Sequence, residues 1–400
     1  MKALWYESIS FPLLRKESGG GNYMSNCHFF SGVASRFGVA PPSLFSAPFV
    51  LTFSLILSFP ILFLLAPHFF PPTSEAPISP VDEQDDLALF RRAAASLSPH
   101  PLAYSHLSSK ARFKIAFLFL TNTDLYFSPI WERFFTAKNR NLYNVYIHAD
   151  PTVNVSLPTT GVFKDRLIAH AKQTHRASPT LVSATRRLLA SAILDDPANA
   201  FFAVVSQYCV PLHSFRYTYD ALLNSPAFDH SRKPSKSIRT KYKSFVEIIT
   251  NERRLWKRYI ARGRYAMLPE VPFDRFRVGS QFFVLTKRHA LVVIKDRALW
   301  NKFKLPCYRA DECYPEEHYF PTLLSMVDPD GCTKYTLTHV NWTGTANGHP
   351  HAYSPPEVTS ELIHHLRKSN HSDSNLFARK FTPDCLEPLM KMADSIIFRD

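Results

Sequence analysis

From Lys114 onward, apolar runs of strand length alternate with segments whose apolar residues recur at helical spacing. Lys114-IAFLFLT reads as a buried strand, Ser128–Thr136 as a short helix, Tyr143-NVYIHAD as a second strand ending in Asp150, and Arg166-LIAH as a third. A helix is predicted from about Pro179 to Leu194, with Leu181, Ala184, Leu188, Leu189, Ala192 and Ile193 on one face. Phe201-FAVVSQ gives another buried strand, Tyr217–Leu223 another helix, and Val278-GSQFFVLT a further strand followed by a helix over Lys287–Trp300. Near-continuous apolar strands alternating with helices predict an α/β domain with a mostly parallel central sheet.

A different pattern precedes it. Pro48–Ala66 is a 19-residue stretch without a charge, close to the ~20 residues needed to cross a hydrocarbon core of ~30 Å, and it reads as a transmembrane signal anchor. Its Pro60 is compatible with a spanning helix. The 47 residues before it are too many for a cleaved leader. The flanks carry net +2 before the anchor and net −3 over the acidic stretch after it, which favours a cytosolic N-terminus. The expected organisation is therefore a cytosolic tail over 1–47, an anchor over 48–66, a Pro- and Ser-rich stem over 67–110 containing a short helix near 85–96, and a luminal domain over 111–400.

The whole chain carries a formal +14, and residues 93–400 alone hold +15. An anionic partner is implied; a luminal domain excludes nucleic acid and leaves phosphate-bearing donors or acidic glycans. Arg239–Arg264 concentrates nine cations on what reads as an amphipathic helix, most of them a solvated face. Of six cysteines, Cys27 falls before the anchor and five after it; no CxxC pair occurs, so a zinc site of the usual spacing is not indicated. Asn154, Asn341 and Asn370 head glycosylation sequons.

Ligands of such sheets gather at the carboxyl ends of strands, where Asp150, Ser206 and Gln207 fall. On pattern alone, Asp150 before Pro151 reads first as a turn residue and second as a ligand-facing one. Gly279-Ser280 permits a close backbone approach. Pro315, Glu316 and Glu317 open a helix, where carboxylates suit the positive end. Neighbouring helical residues point about 100° apart, so at most one of the two glutamates faces a reacting atom. A carboxylate there suits the base of an inverting glycosyl transfer, with fixed cations such as Arg379 and Lys380 stabilising a diphosphate leaving group. Asp328-Pro-Asp330 has metal-pair spacing inside a turn sequence, and no metal site is expected. His318 and Trp342 are added as residues lining the site.

The segments KIAFLFLT, WERFF, VYIHAD, ATRRLLASAILDD, SQYCVPL, GSQFFVLT, PEEHYFPTLL, VNWTG with HPHAY, and LFARKF occur in an order that resembles the plant branch related to core-2/I-branching β-1,6-N-acetylglucosaminyltransferases, glycosyltransferase family 14. The similarity spans about residues 112–395. It implies a GT-A-like fold, inversion, a UDP-sugar donor, no metal, and type II placement in the Golgi membrane. By position it implies Glu317 as base, Glu316 in the place of an Asp, Lys380 on the diphosphate and Asp150 on the nucleoside. It also implies an unpaired Cys209, leaving Cys307, Cys313, Cys332 and Cys385 for two disulfides. A second diphosphate-binding Arg has no counterpart, and Arg379 is its nearest substitute. Residues 225–275 match the animal enzymes poorly, so the donor sugar, whether GlcNAc or another such as glucuronic acid, and the glycan or proteoglycan acceptor stay open. The alternative is a membrane-tethered, non-catalytic scaffold that binds glycan or nucleotide sugar with the same fold.

Overall fold

The computed structural model describes residues 52, 54–60, 77–96, 112–223, 242–344 and 349–400. The tail expected over 1–47 and most of the anchor expected over 48–66 lie outside these residues. The described part of the anchor stretch is helical, with Leu55, Ile56, Leu57 and Phe59 exposed. Among the described residues no helix is long and apolar enough to cross a membrane. Contacts divide the chain into two units, residues 1–69 and 70–400, and both sheets belong to the second.

Among the described residues nine strands form these sheets: β1 (Lys114–Thr121), β2 (Tyr143–Ala149), β3 (Asn199–Ser206), β4 (Val210–Pro211), β5 (Ser244–Glu247), β6 (Val284–Thr286), β7 (Cys332–Lys334), β8 (Thr338–Val340) and β9 (Phe377–Arg379). The larger sheet has the order β2-β1-β3-β6-β5-β7 and the smaller β4-β9-β8. β1 lies parallel to β2 and β3, and β5 parallel to β7; β6 runs antiparallel to both β3 and β5. The mostly parallel sheet is thus present. The expected third strand at Arg166-LIAH contributes only an isolated bridge, Ile147 to Leu167.

The central strands are buried on both faces, as their unbroken apolar composition requires. The helices that pack on the sheet and frame its ends include α1 (Pro80–Ala95), α2 (Ser128–Phe134), α3 (Pro179–Asp195), α4 (Phe215–Leu223), α5 (Leu255–Tyr259), α6 (Lys287–Lys295), α7 (Ala298–Phe303) and α8 (Pro315–Val327). Under the sheet, Phe117 meets Trp131, Phe134 and Phe135 edge-on at 4.9–6.0 Å, and Trp131 donates its indole N–H to the carbonyl of Cys209 at 3.0 Å. That bond fixes the chain just past the end of β3.

Three expectations change in detail. The short helix expected near 85–96 is present as α1 but starts earlier, at Pro80; it is capped by Ser79 and buries Leu89, Phe90, Ala93 and Asp86, packing on α3 and α6. Asp86 accepts two bonds from Arg187, at 2.6 and 2.8 Å, inside that contact. The cationic segment read as one helix over 239–264 instead holds β5 and the five-residue α5, with residues 239–241 outside the described set. Sheet pairing of Ser244–Glu247 overrides the local helical spacing. The helix expected over Lys287–Trp300 is two helices, α6 and α7, and Asp296 between them caps the second through Leu299 and Trp300 N–H.

Ser244, His289 and Asp328 form a hydrogen-bonded chain: Ser244 Oγ lies 2.7 Å from His289 Nδ1, and His289 Nε2 2.9 Å from Asp328. Ser244 and His289 are completely buried, so this chain is a clasp between β5, α6 and the end of α8, and no substrate reaches it. Asp328 also binds Arg288 and the Gly331 N–H, which leaves the Asp328-Pro-Asp330 segment a turn. Among the described residues no group of three metal-binding side chains converges.

One disulfide joins Cys307 to Cys313, and Cys209 is unpaired. The second expected bridge is absent: Cys332 and Cys385 are both unpaired and stand on different elements. Cys332 opens β7, whereas Cys385 follows β9 and places its thiol 3.1 Å from the Tyr353 carbonyl.

Candidate active site

The carboxyl ends of β1, β2 and β3, the end of β9 and the start of α8 meet on one side of the sheet. α8 begins after Tyr314, whose φ of 33° puts it in the left-handed region and turns the chain sharply into Pro315. Glu317 stands in the first turn of the helix. Its carbonyl would ordinarily accept from residue 321, but that residue is Pro321, which has no N–H. The orphaned carbonyl accepts instead from Gly279 N–H at 2.8 Å. Glycine is required at 279 by a second close approach, to β5: a Cβ there would stand 1.9 Å from the Glu247 carbonyl oxygen. The close approach expected at Gly279 is therefore made to protein backbone, while Ser280 closes a turn by accepting from Phe282 N–H at 3.1 Å.

The Glu317 carboxylate is partly exposed and receives Arg258 Nη1 at 2.8 Å. Glu316 points the other way. It is buried, and its Oε1 accepts from Ala177 N–H at 3.0 Å. Burial, with the neighbouring Glu317 charge adding to it, pushes the Glu316 carboxyl up to about 7. The two glutamates thus divide as helical geometry requires, one facing the cleft and one the interior. His318 does not line the site. It is fully buried, stacks on Phe276 at 4.6 Å, bonds the Arg277 carbonyl through Nδ1 at 2.8 Å, and burial lowers its pKa to about 3.

Arg379 ends β9 with its guanidinium on the face of Phe282 at 4.1 Å, and Lys380 holds its ammonium over Tyr208 at 4.5 Å. Burial lowers both pKa values; Glu317 bears favourably on Arg379, while Arg379 and Arg176 depress Lys380 further. Ser206 Oγ lies 3.3 Å from the Cys209 thiol, and Gln207 donates to Asn122 Oδ1 at 2.8 Å, tying the ends of β1 and β3 together. Asp150 is buried and accepts from the N–H and hydroxyl groups of both Thr152 and Thr174 at 2.6–2.9 Å. Burial opposes its ionisation, but these bonds outweigh it and hold the carboxyl below its usual range. Trp342 is exposed two residues beyond Val340, which pairs in register with Arg379. Asn154 and Asn370 are exposed; Asn341 is partly buried and its side chain accepts from Thr343 N–H at 2.9 Å.

Four groups that the sequence does not place in the site, Arg176, Arg258, Tyr314 and His349, also meet here. Arg258 and Arg176 flank the Tyr314 ring at 5.3 and 5.9 Å, and Arg176 Nη1 lies 2.9 Å from His349 Nε2. Arg258 hides among cations that local spacing assigns to a solvated face. Arg176 carries only a weak signal, a cation in the loop past a strand end.

The raised pKa of Glu316 has a measurable consequence. The unfolded chain releases this proton near 4.5 and the folded chain near 7, so its contribution to stability falls as pH rises across that window, by about 3 kcal/mol in total. Glu316→Gln keeps the acceptor for Ala177 and removes the titration. Urea unfolding at pH 4.5 and pH 8 is expected to show the variant losing less stability than the wild type; equal pH dependence would count against a buried, neutral Glu316.

A carboxylate at a helix start, with cations and polar groups at strand ends, is an arrangement compatible with a glycosyltransferase domain, and similarity to known proteins identifies the chain as one. Residues 115–367 match the Core-2/I-Branching enzyme family, and the chain belongs to that family. It is also 28% identical over 319 residues to glycosyltransferase BC10 of Oryza sativa subsp. japonica, covering 67% of this chain and 74% of the rice protein.

Proposed function

We propose that the chain transfers a sugar with inversion from a UDP-sugar to a hydroxyl of a glycan or proteoglycan, without a metal, as a type II membrane protein of the Golgi lumen. The observation that carries the reading is the placement of Glu317 at the start of α8, locked through its own backbone carbonyl and paired with Arg258, with its charge acting on Arg379 at the end of β9. In this reading Glu317 takes the proton of the acceptor hydroxyl while that oxygen attacks the anomeric carbon opposite the diphosphate. The new glycosidic bond forms as the anomeric carbon–phosphate oxygen bond breaks, and UDP departs with its charge held by Lys380 and Arg379. Arg258 holds one carboxylate oxygen of Glu317 at 2.8 Å and so orients the other toward the acceptor. Ser206, Gln207 and Asp150 shape the nucleotide end, Asp150 by holding the 150–174 loop. The uncharged stretch over 48–66 and its flanking charges support the membrane topology, and the exposed Asn154 and Asn370 are accessible to glycosylation.

The test is turnover of a panel of UDP-sugars by the full-length chain in detergent, with mixed glycan acceptors, with and without EDTA. One donor is expected to be consumed at equal rates in both conditions. Loss of turnover in EDTA, restored by a divalent cation, would refute metal independence; no binding of any donor by folded protein would favour the scaffold alternative.

A further inference from the structure

The segment 174–177 is a strap clamped at both ends by buried carboxylates. At one end Asp150, at the tip of β2, accepts from Thr174 N–H at 2.8 Å and from its hydroxyl at 2.9 Å. At the other end Glu316 accepts from Ala177 N–H at 3.0 Å. Ala177 is held at a φ of 56°, a conformation an alanine adopts only where its surroundings impose it. Between the clamps stands Arg176, exposed, beside Tyr314 on one side and His349 on the other. His349 leads into the segment whose Tyr353 N–H donates to the Lys380 carbonyl at 2.8 Å. The charge of Arg176 is felt by Lys380, Arg379 and Glu316 alike. Arg176 thus adds positive charge to the side of the site where Arg379 and Lys380 end β9, and added positive charge favours an anion there.

Resting on the transferase reading, we infer that Arg176 is a third cation of the leaving-group site and binds the distal phosphate of the nucleoside diphosphate, with Glu316 as the positioning residue that presents it. The distal assignment follows from chemistry. The β-phosphate bears the bond to the anomeric carbon, and that carbon must lie beside Glu317. Arg176 sits over the residue that opens the Glu317 helix, so it faces the phosphate next to the reacting carbon. Its planar fork suits two phosphate oxygens at once. Glu316 has a role distinct from that of Glu317: a carboxyl turned inward that ties the strap to the helix bearing the base.

The experiment measures binding of UDP and of UMP to the full chain by calorimetry, together with turnover of whichever donor the UDP-sugar panel identifies. Arg176→Ala is expected to weaken UDP about 10- to 100-fold while leaving UMP near its wild-type affinity. Arg176→Lys is expected to recover part of the loss. Glu316→Ala, which deprives Ala177 of its acceptor, should lower UDP affinity in the same selective manner, and Glu316→Gln, which keeps that acceptor, should restore it. UDP affinity within about twofold of wild type in Arg176→Ala, or an equal loss for UDP and UMP, overturns the assignment while the transferase reading stands. A Glu316→Ala chain with intact UDP binding removes the positioning role. If the wild type neither binds UDP nor turns over a donor, the assignment falls together with its premise.

Discussion

Glu317→Gln is expected to lower glycosyl transfer by about 10²- to 10⁴-fold, the range lost when a positioned general base is removed, with UDP affinity little changed. Glutamine preserves the size of the side chain and an oxygen to accept from Arg258, and the Glu317 main chain stays fixed by Gly279. What disappears is the capacity to take a proton. Initial rates at saturating donor, with UDP binding measured in parallel, separate the two effects. Activity within tenfold of wild type would show that another group accepts the proton; a parallel collapse of UDP binding would show that the substitution disturbs the site as a whole.

Asp86→Ala is expected to cost about 3–5 kcal/mol of folding stability, because it leaves the Arg187 guanidinium buried without its counter-charge. Both side chains are almost inaccessible, 3% and 6% exposed, so water cannot replace the missing carboxylate. Replacing the pair together, Asp86→Leu with Arg187→Met, is expected to recover most of the loss, since an apolar pair carries no desolvation cost. Urea midpoints of the two variants decide it. A double variant as unstable as the single one would place the cost in packing and not in charge. By the same contact, a fragment beginning after Ala95 would be expected to lose stability, because it discards Leu89, Phe90 and Asp86 from the face of α3.

The fold is legible where periodicity is strong. β1, β2, β3 and α3 lie within a residue or two of their expected bounds, because an unbroken apolar strand or an amphipathic 17-residue helix permits few other readings. It is illegible where tertiary surroundings reverse the ordinary meaning of a residue. Arg186 reads as a solvated cation, yet it is fully buried within 4.6–5.8 Å of Phe90, Trp300 and Tyr319. Arg262 lies against Phe303 in the same manner. The helix near 85–96 is legible, but its start at Pro80 and its packing on the domain are not, because proline and acidic residues dominate that start. In the site, Glu317, Lys380 and the strand-end residues are visible through motif and position. Arg176, Arg258 and His349 are not, since their meeting at Tyr314 joins segments up to 173 residues apart that no local pattern connects.

Pro321 has an effect beyond its own turn of helix. By withholding one N–H it hands the Glu317 carbonyl to Gly279, so the proposed base is bolted to a neighbouring segment through its peptide group, independently of its side chain. The position of the main chain at 317 is therefore set apart from the side chain. The position resembles a socket: a substitution that keeps an oxygen for Arg258 leaves both the mount and that contact in place, and its effect reads chemistry more than architecture.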